Sequence, residues 1–140
     1  MWWVYALLSS AAAALVAIFG KMGLQGVDST LATALRSIIM AVFVVLAALL
    51  LGKFDGFTLA SLSGRAWVFI ALAGVSGALS WLFYFFALKI GLVSKVVVID
   101  RLSVVFALVL AALFLGEAFT WKTVAGAVLM VGGALIIALA

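Results

Sequence analysis

Five long runs of apolar residues alternate with short polar segments along the chain. A helix needs roughly 20 apolar residues to cross the hydrocarbon core of a bilayer, which is about 30 Å thick. Each run has about this length, and the alternating pattern of a membrane β-barrel is absent. The runs therefore predict five transmembrane helices. They span residues 2–20, 31–51, 67–88, 92–115 and 122–140.

The segments between these runs are too short to separate domains. Inside lipid, every backbone polar group must be satisfied within its own segment, so the spans are expected to be helical. We expect one all-α transmembrane domain over residues 1–140, without an internal repeat. An odd number of spans places the two termini on opposite faces of the membrane.

The composition supports lipid as the solvent and limits the kinds of metal site and catalysis that the chain could have. The chain is 71% hydrophobic and 9% charged, whereas soluble domains average roughly 45–50% apolar and about 25% charged residues. It contains no cysteine and no histidine, which argues against disulfides, the usual zinc sites and thiol or imidazole catalysis. We therefore expect no metal, no cofactor and no enzymatic activity. The net charge of +4 is not gathered in a run, so no nucleic-acid partner is expected.

Three charged residues lie more than one helical turn inside the predicted spans, namely Arg36, Asp100 and Arg101. Each costs roughly 2.5–3.5 kcal/mol at a helix centre. At about 1.5 Å per residue, Arg36 lies about 8 Å into its helix and Asp100 about 12 Å into its own, from the same membrane side. The two can therefore form an ion pair. This pair either only stabilises the packing of the helices or forms part of a substrate path.

Arg101 lies about 100° around the helix from Asp100, so the two cannot share a face. Arg101 either reaches the membrane interface by snorkelling or faces a polar cavity. With the Arg36–Asp100 pair formed, one positive charge remains, which would suit an anionic or zwitterionic ligand. Ser103 lies on the Asp100 face, where small residues either pack helices or line a path.

Four further positions complete the candidate set. Lys21 either anchors a helix end in the headgroup layer or contributes to the path. Trp81 and Tyr84 belong to an aromatic run that forms either an interfacial belt or a stacking surface for a ligand. Gly74 and Gly77 lie in the middle of the third span, where a bend would cost little, and are the candidate hinge.

The order of these features resembles the drug/metabolite transporter superfamily, specifically one EamA-type unit of its small bacterial and archaeal branch. The resemblance covers essentially the whole chain. Its closing signature, an LGE string followed by a glycine-bearing fifth helix, is moderately specific. The matching segments are Trp2–Trp3, Lys21 with Gly23, Val27–Ser37, Gly77–Gly91, Ile99–Ser103, Phe114–Trp121 and Gly126–Gly133.

This resemblance implies transport of a small molecule. Most members of the superfamily have ten helices, formed from two such units of opposite orientation, and this chain has one. The resemblance therefore implies a homodimer in which two antiparallel copies rebuild the inverted repeat used for alternating access. Four-helix multidrug members carry an acidic residue in helix one. The first span here has none, so the resemblance does not extend to proton-coupled export of cationic drugs.

Loop charges test the antiparallel arrangement, because lysine and arginine set the orientation of a membrane protein. One side carries Lys53, Arg65 and Lys122, and the other carries three lysines, at positions 21, 89 and 95. This three-to-three tie favours insertion in both orientations, although counting the intramembrane Arg36 and Arg101 makes it five to three. The alternative function is an accessory or assembly subunit of a membrane complex. The expected location is a prokaryotic inner membrane.

Overall fold

The computed structural model describes residues 1–58 and 61–140. Leu59 and Ala60, part of the predicted second loop, lie outside the described residues. The regular structure is helical. The helices are α1 (Trp2–Gly23), α2 (Ser29–Leu50), α3 (Gly64–Ile90), α4 (Val93–Asp100), α5 (Ser103–Leu115) and α6 (Trp121–Leu139).

Helices α4 and α5 together form one apolar span, Val93–Leu115. The described chain thus has five helical segments that are long and apolar enough to cross a membrane. This confirms the predicted all-α fold with five spans.

Helix ends differ from the predicted bounds by up to three residues, because polar caps lie outside the apolar runs. The Asp28 carboxylate accepts hydrogen bonds from the backbone N–H groups of Thr30 and Leu31, at 2.9 and 3.0 Å. Thr120 Oγ1 accepts from the N–H of Thr123 at 3.2 Å. Such caps satisfy N–H groups that the helix itself leaves free, so α2 and α6 begin before their apolar runs do.

The fourth span differs from the single unbroken helix expected over residues 92–115. Helix α4 ends at Asp100 and α5 begins at Ser103. At the interruption the Leu102 N–H donates to the Ile99 carbonyl at 3.0 Å, a bond to the third preceding residue as in a 3₁₀ turn. The chain has no proline, and the interruption coincides with the two adjacent charged residues. Hydropathy reports that a span is apolar and does not report this local change in hydrogen bonding.

The chain forms two compact units. One comprises residues Gly20–Lys89 and contains α2, α3 and the end of α1. The other comprises Met1–Phe19 with Ile90–Ala140, and within it α4 packs on α6. The expectation of one domain over residues 1–140 stays a prediction.

Few apolar side chains are buried in the described part of the chain, and most large ones are exposed. In water this exposure would be very unfavourable, but lipid tails are as apolar as leucine. The buried apolar residues are Ala17, Leu24, Phe85, Leu88 and Ala134. Most of the molecular surface is therefore suited to contact with lipid.

Candidate functional site

Arg36 of α2 lies against aromatic rings of α3. Its guanidinium carbon is 3.7 Å from the centroid of the Trp81 ring and 5.6 Å from that of Phe85. Arginine stacks well on aromatic faces because its cation is planar and weakly hydrated. Within an apolar span, the Trp81 face therefore offsets part of the cost of placing the cation there.

The indole of Trp81 is held in turn by neighbouring rings. Tyr84 lies edge-to-face with it at a centroid distance of 5.5 Å, and Phe85 does so at 6.1 Å. Phe85 is only 3% exposed. Edge-to-face packing is the favoured arrangement of aromatic pairs, so the surface under Arg36 is braced by α3 itself.

The same face of α2 carries two buried hydroxyl residues, Ser29 and Thr33, at helical spacing from Arg36. Ser29 is 1% exposed and Thr33 is 4% exposed. Thr33 Oγ1 donates to the Ser29 carbonyl at 2.7 Å, and Ser37 Oγ donates to the Thr33 carbonyl at 2.8 Å. These two hydroxyls are thus used within the helix, as is common for serine and threonine in helices.

Two buried polar atoms on this face lack a hydrogen-bond partner within the described residues. They are Ser29 Oγ and Arg36 Nη1. A buried donor or acceptor left unpaired is costly, and more so when it is charged. The α2 face therefore has unused hydrogen-bonding capacity inside a membrane span.

Ser29 and Thr33 were not among the site residues predicted from sequence. The sequence does contain a pattern that links them to Arg36, because positions 29, 33 and 36 follow the spacing that puts residues on one face of a helix. Serine and threonine are common in membrane helices, however, and nothing in the sequence distinguishes a buried hydroxyl from one that faces lipid. Only their burial in the folded chain separates Ser29 and Thr33 from hydroxyl residues that face lipid.

Lys21, at the end of α1, donates from Nζ to the carbonyl oxygens of Leu88 and Lys89 at 2.5 and 3.4 Å. These carbonyls belong to the last turn of α3, whose free acceptors attract cations. Gly20 lies beside this contact, and a Cβ atom built there would be 3.2 Å from Phe85 Cζ. Lys21 thus ties α1 to α3, a contact that neither alternative from the sequence included.

Asp28 precedes α2 outside the membrane span. The N–H of Leu31, followed by that of Thr30, holds the pKa of the Asp28 carboxyl below its usual value, and the charge of Lys89 acts in the same direction. Hydrogen bonds donated to a carboxylate favour its charged form. Asp28 therefore contributes a stable negative charge at the helix N-terminus, where the helix dipole favours it.

The remaining charged candidates lie in the other compact unit. Asp100 is the last residue of α4, Arg101 lies in the interruption of the fourth span, and Ser103 is the first residue of α5. All three are exposed in the chain taken alone. Because Arg36 belongs to the other unit, the ion pair between Arg36 and Asp100 stays a prediction.

The candidate hinge glycines lie within α3, which continues without a break past both positions. A Cβ atom at Gly74 or Gly77 would meet nothing within 4 Å. Neither glycine is thus required by close helix packing within the chain, and their role as a hinge stays a prediction.

A concave surface lies between α5 and α6. It is a groove with a volume of about 490 Å³, lined by residues such as Val105 and Leu108 of α5 and Val128 and Val131 of α6. Thr123 is the one hydroxyl residue in its lining. The groove offers almost no hydrogen bonds and is suited to apolar contact.

Residues 1–139 match the EamA-like transporter family. The chain belongs to this family. The resemblance seen in the sequence is therefore confirmed, and the EamA-like chain is a multi-pass integral membrane protein and a transporter.

Among curated proteins, the EamA-like chain is similar to an "Uncharacterized transporter in cobO 3'region" from Sinorhizobium sp. The two are 37% identical over 137 residues, which cover 98% of this chain and 96% of that protein. No solved structure matches the chain. The bacterial relative therefore has nearly the same length as this chain.

The side chains around Arg36 are suited to recognition rather than bond making. Within residues 1–58 and 61–140, no three His, Cys, Asp or Glu side chains come together as a metal site would require. The groups gathered at the α2 face are a guanidinium, an indole and hydroxyls. Groups of these kinds interact through charge, stacking and hydrogen bonding.

Proposed function

We propose that this EamA-like transporter carries a small anionic or zwitterionic solute by alternating access, as an antiparallel homodimer. The observation that carries the proposal is Arg36, a cation within a membrane-spanning helix whose Nη1 is buried without a hydrogen-bond partner among the described residues. Intramembrane charges are expensive and mark solute or ion pathways in membrane proteins.

The aromatic contact of Arg36 meets only part of this cost. Trp81 supplies the face of its ring, which attracts a cation but accepts no strong hydrogen bond in the plane of the guanidinium. A solute with a negative charge would supply both the charge and the acceptors. Asp100, Arg101 and Ser103 are proposed to complete the path, with Gly74 and Gly77 as the hinge.

The proposed dimer rests on the size of the chain and on its charges. One chain corresponds to half of the usual ten-helix superfamily body, and inverted repeats place their substrate sites at the interface of the two halves. The loop lysines and arginines are balanced between the two sides, three to three. Closed two-fold assembly is also the commonest arrangement of identical subunits.

Reconstitution of this protein alone in liposomes tests the proposal. Two or three lysines added to the second loop should lock one orientation, and the same number added to the first or third loop should lock the opposite one. Each locked variant by itself should lose solute flux, and co-expression of the two should restore it.

Full transport by a single locked variant would disprove the antiparallel dimer. If unlocked protein that inserts both ways supports no flux of any anionic or zwitterionic solute, the accessory-subunit alternative is favoured instead.

A further inference from the structure

The donors of Arg36 point to the chemical group that it would bind. A guanidinium carries five N–H groups in one plane, and they fit two-oxygen acceptors as a fork. The Trp81 ring lies 3.7 Å from the guanidinium carbon. A ring stacked there occupies a face of the cation and leaves the edge, where the N–H groups lie, free of the ring.

We propose that Arg36 binds a carboxylate group of the transported solute edge-on through two N–H donors, with Trp81 as the platform that holds the guanidinium. This inference rests on the proposed transport function and specifies the group that is recognised. The unpartnered Nη1 is the donor that gains most from such an acceptor, because it has no other hydrogen bond to give up. Nη1 is shielded from solvent in this structure, so the contact forms in the state of the transport cycle that opens this face of α2.

Charge matching favours a carboxylate over other anions. A carboxylate brings one negative charge and two oxygens, which equals the single charge and the paired donors of Arg36. At Arg36 itself, a phosphate dianion would leave one negative charge uncompensated in a low-dielectric span. A halide offers one point of contact and cannot use the fork.

The platform has a distinct part in this recognition. Tyr84 and Phe85 brace the Trp81 indole by edge-to-face contacts at 5.5 and 6.1 Å. A stacked guanidinium loses less conformational freedom when the ligand arrives, which favours binding. Trp81 is therefore a positioning residue that acts through Arg36, and Arg36 is the group that touches the solute.

Nuclear magnetic resonance of the full chain in lipid nanodiscs can test this binding without transport. The signals are the Arg36 Nε–H and the Trp81 indole N–H, and the probes are acetate, inorganic phosphate and chloride. Acetate should shift both signals until the shift reaches a plateau, whereas the shift caused by chloride should not reach a plateau at the same concentrations. Saturation by chloride, or tighter saturation by phosphate than by acetate, would overturn the assignment to a carboxylate.

The variant Arg36→Lys keeps the charge and removes the fork. Followed through the Trp81 signal, its apparent Kd for acetate should rise by about tenfold or more, the loss expected for one charge-assisted hydrogen bond. The matched control is Arg65→Lys, because Arg65 also lies over an aromatic ring, Phe69, at 5.7 Å. The control should bind acetate as the parent chain does. Equal acetate affinity in the Arg36→Lys and parent chains would refute the fork.

A second variant covers the case in which Arg36→Lys does not fold. Trp81→Leu retains Arg36 and removes the platform, so acetate should still saturate the Arg36 signal, with an apparent Kd raised by a few-fold. An unchanged Kd would refute the platform role. Saturable acetate binding in a protein that shows no solute flux would contradict the transport proposal and leave this inference standing. Solute flux in a protein whose Kd for acetate is unchanged by Arg36→Lys would contradict this inference and leave the transport proposal standing.

Discussion

The α2–α3 region and the α5–α6 region are both built from apolar helices, but they differ in the polar groups that they carry. The first carries Arg36 stacked on Trp81, with Nη1 buried and unpartnered in the described chain. The second forms a groove in which Thr123 is the one hydroxyl residue among the lining side chains. Lipid tails can fill an apolar groove at little cost, whereas an intramembrane cation is expensive. The difference supports the proposal that the first region recognises the solute, and it shows that the second is suited to apolar packing.

The two arginines that lie over aromatic rings within the described part of Gly20–Lys89 show a similar contrast. Arg36 is half-buried and lies well inside α2, while Arg65 is exposed and lies in the first turn of α3. A cation at a helix end reaches the headgroup layer easily. Arg65 therefore has an ordinary interfacial environment, and stacking on a ring does not by itself mark a site.

The largest effect is expected from Arg36→Gln, which removes the charge and the fork. Solute flux in liposomes should fall by about tenfold or more, because the binding group is lost. The control is Val128→Leu in the α5–α6 groove, which should change flux by less than about twofold because a conservative apolar change is well tolerated. Equal losses in the two variants would end the distinction between the two regions.

Close packing beside the Arg36 region should make Gly20 sensitive to added volume. In Gly20→Val the new side chain meets Phe85, since a Cβ atom there already lies 3.2 Å from Phe85 Cζ. Overpacking of this kind costs about 1–3 kcal/mol of stability, measurable by unfolding in detergent. Gly126→Val in α6 is the matched control, because a Cβ atom there meets nothing within 4 Å. The packing argument fails if the two valine variants are equally stable.

A double-mutant cycle asks whether Arg36 also has a carboxylate partner within the chain. In the solute-free protein, where no solute carboxylate occupies Arg36, Asp100→Asn should destabilise the protein, and adding Arg36→Gln should partly compensate. A direct pair predicts a coupling of about 0.5 kcal/mol or more in the free energy of unfolding. Coupling near zero would refute the Arg36–Asp100 pair.

The smallest effect concerns the cap of α2. The pKa of Asp28 is lowered mainly by the N–H of Leu31, so its stabilising contribution is fully present above the unfolded carboxyl value of about 3.9. It is lost as the pH falls through the lower folded pKa. Asp28→Asn should remove this acid-dependent part of the stability, followed by thermal unfolding between neutral and acidic pH.

Thr120→Ala, which removes the uncharged cap of α6, serves as the control for this prediction, and its effect on stability should be the same at neutral and acidic pH. If the parent chain and Asp28→Asn lose stability in parallel as the pH falls, the cap has no measurable titration.

Part of the Arg36 site was accessible from sequence. An arginine in the middle of an apolar run is conspicuous, because it costs free energy wherever the helix lies in the membrane. Trp81 and Tyr84 were conspicuous as an aromatic run. Their contact with Arg36 was not predicted, since spacing along one helix says nothing about which neighbouring helix a face meets.

The sequence by itself determined the solvent, the five spans and the family of this protein. These properties depend on run length and residue type along one dimension, and bilayer thickness sets the scale. Tertiary structure alone decided that Arg36 stacks on Trp81, that Lys21 binds the last turn of α3, and that Ser29 is buried. The interruption at Asp100 also appeared only there. Apolar residues fit lipid and helix interfaces equally well, so hydropathy cannot choose between neighbours, and packing geometry does.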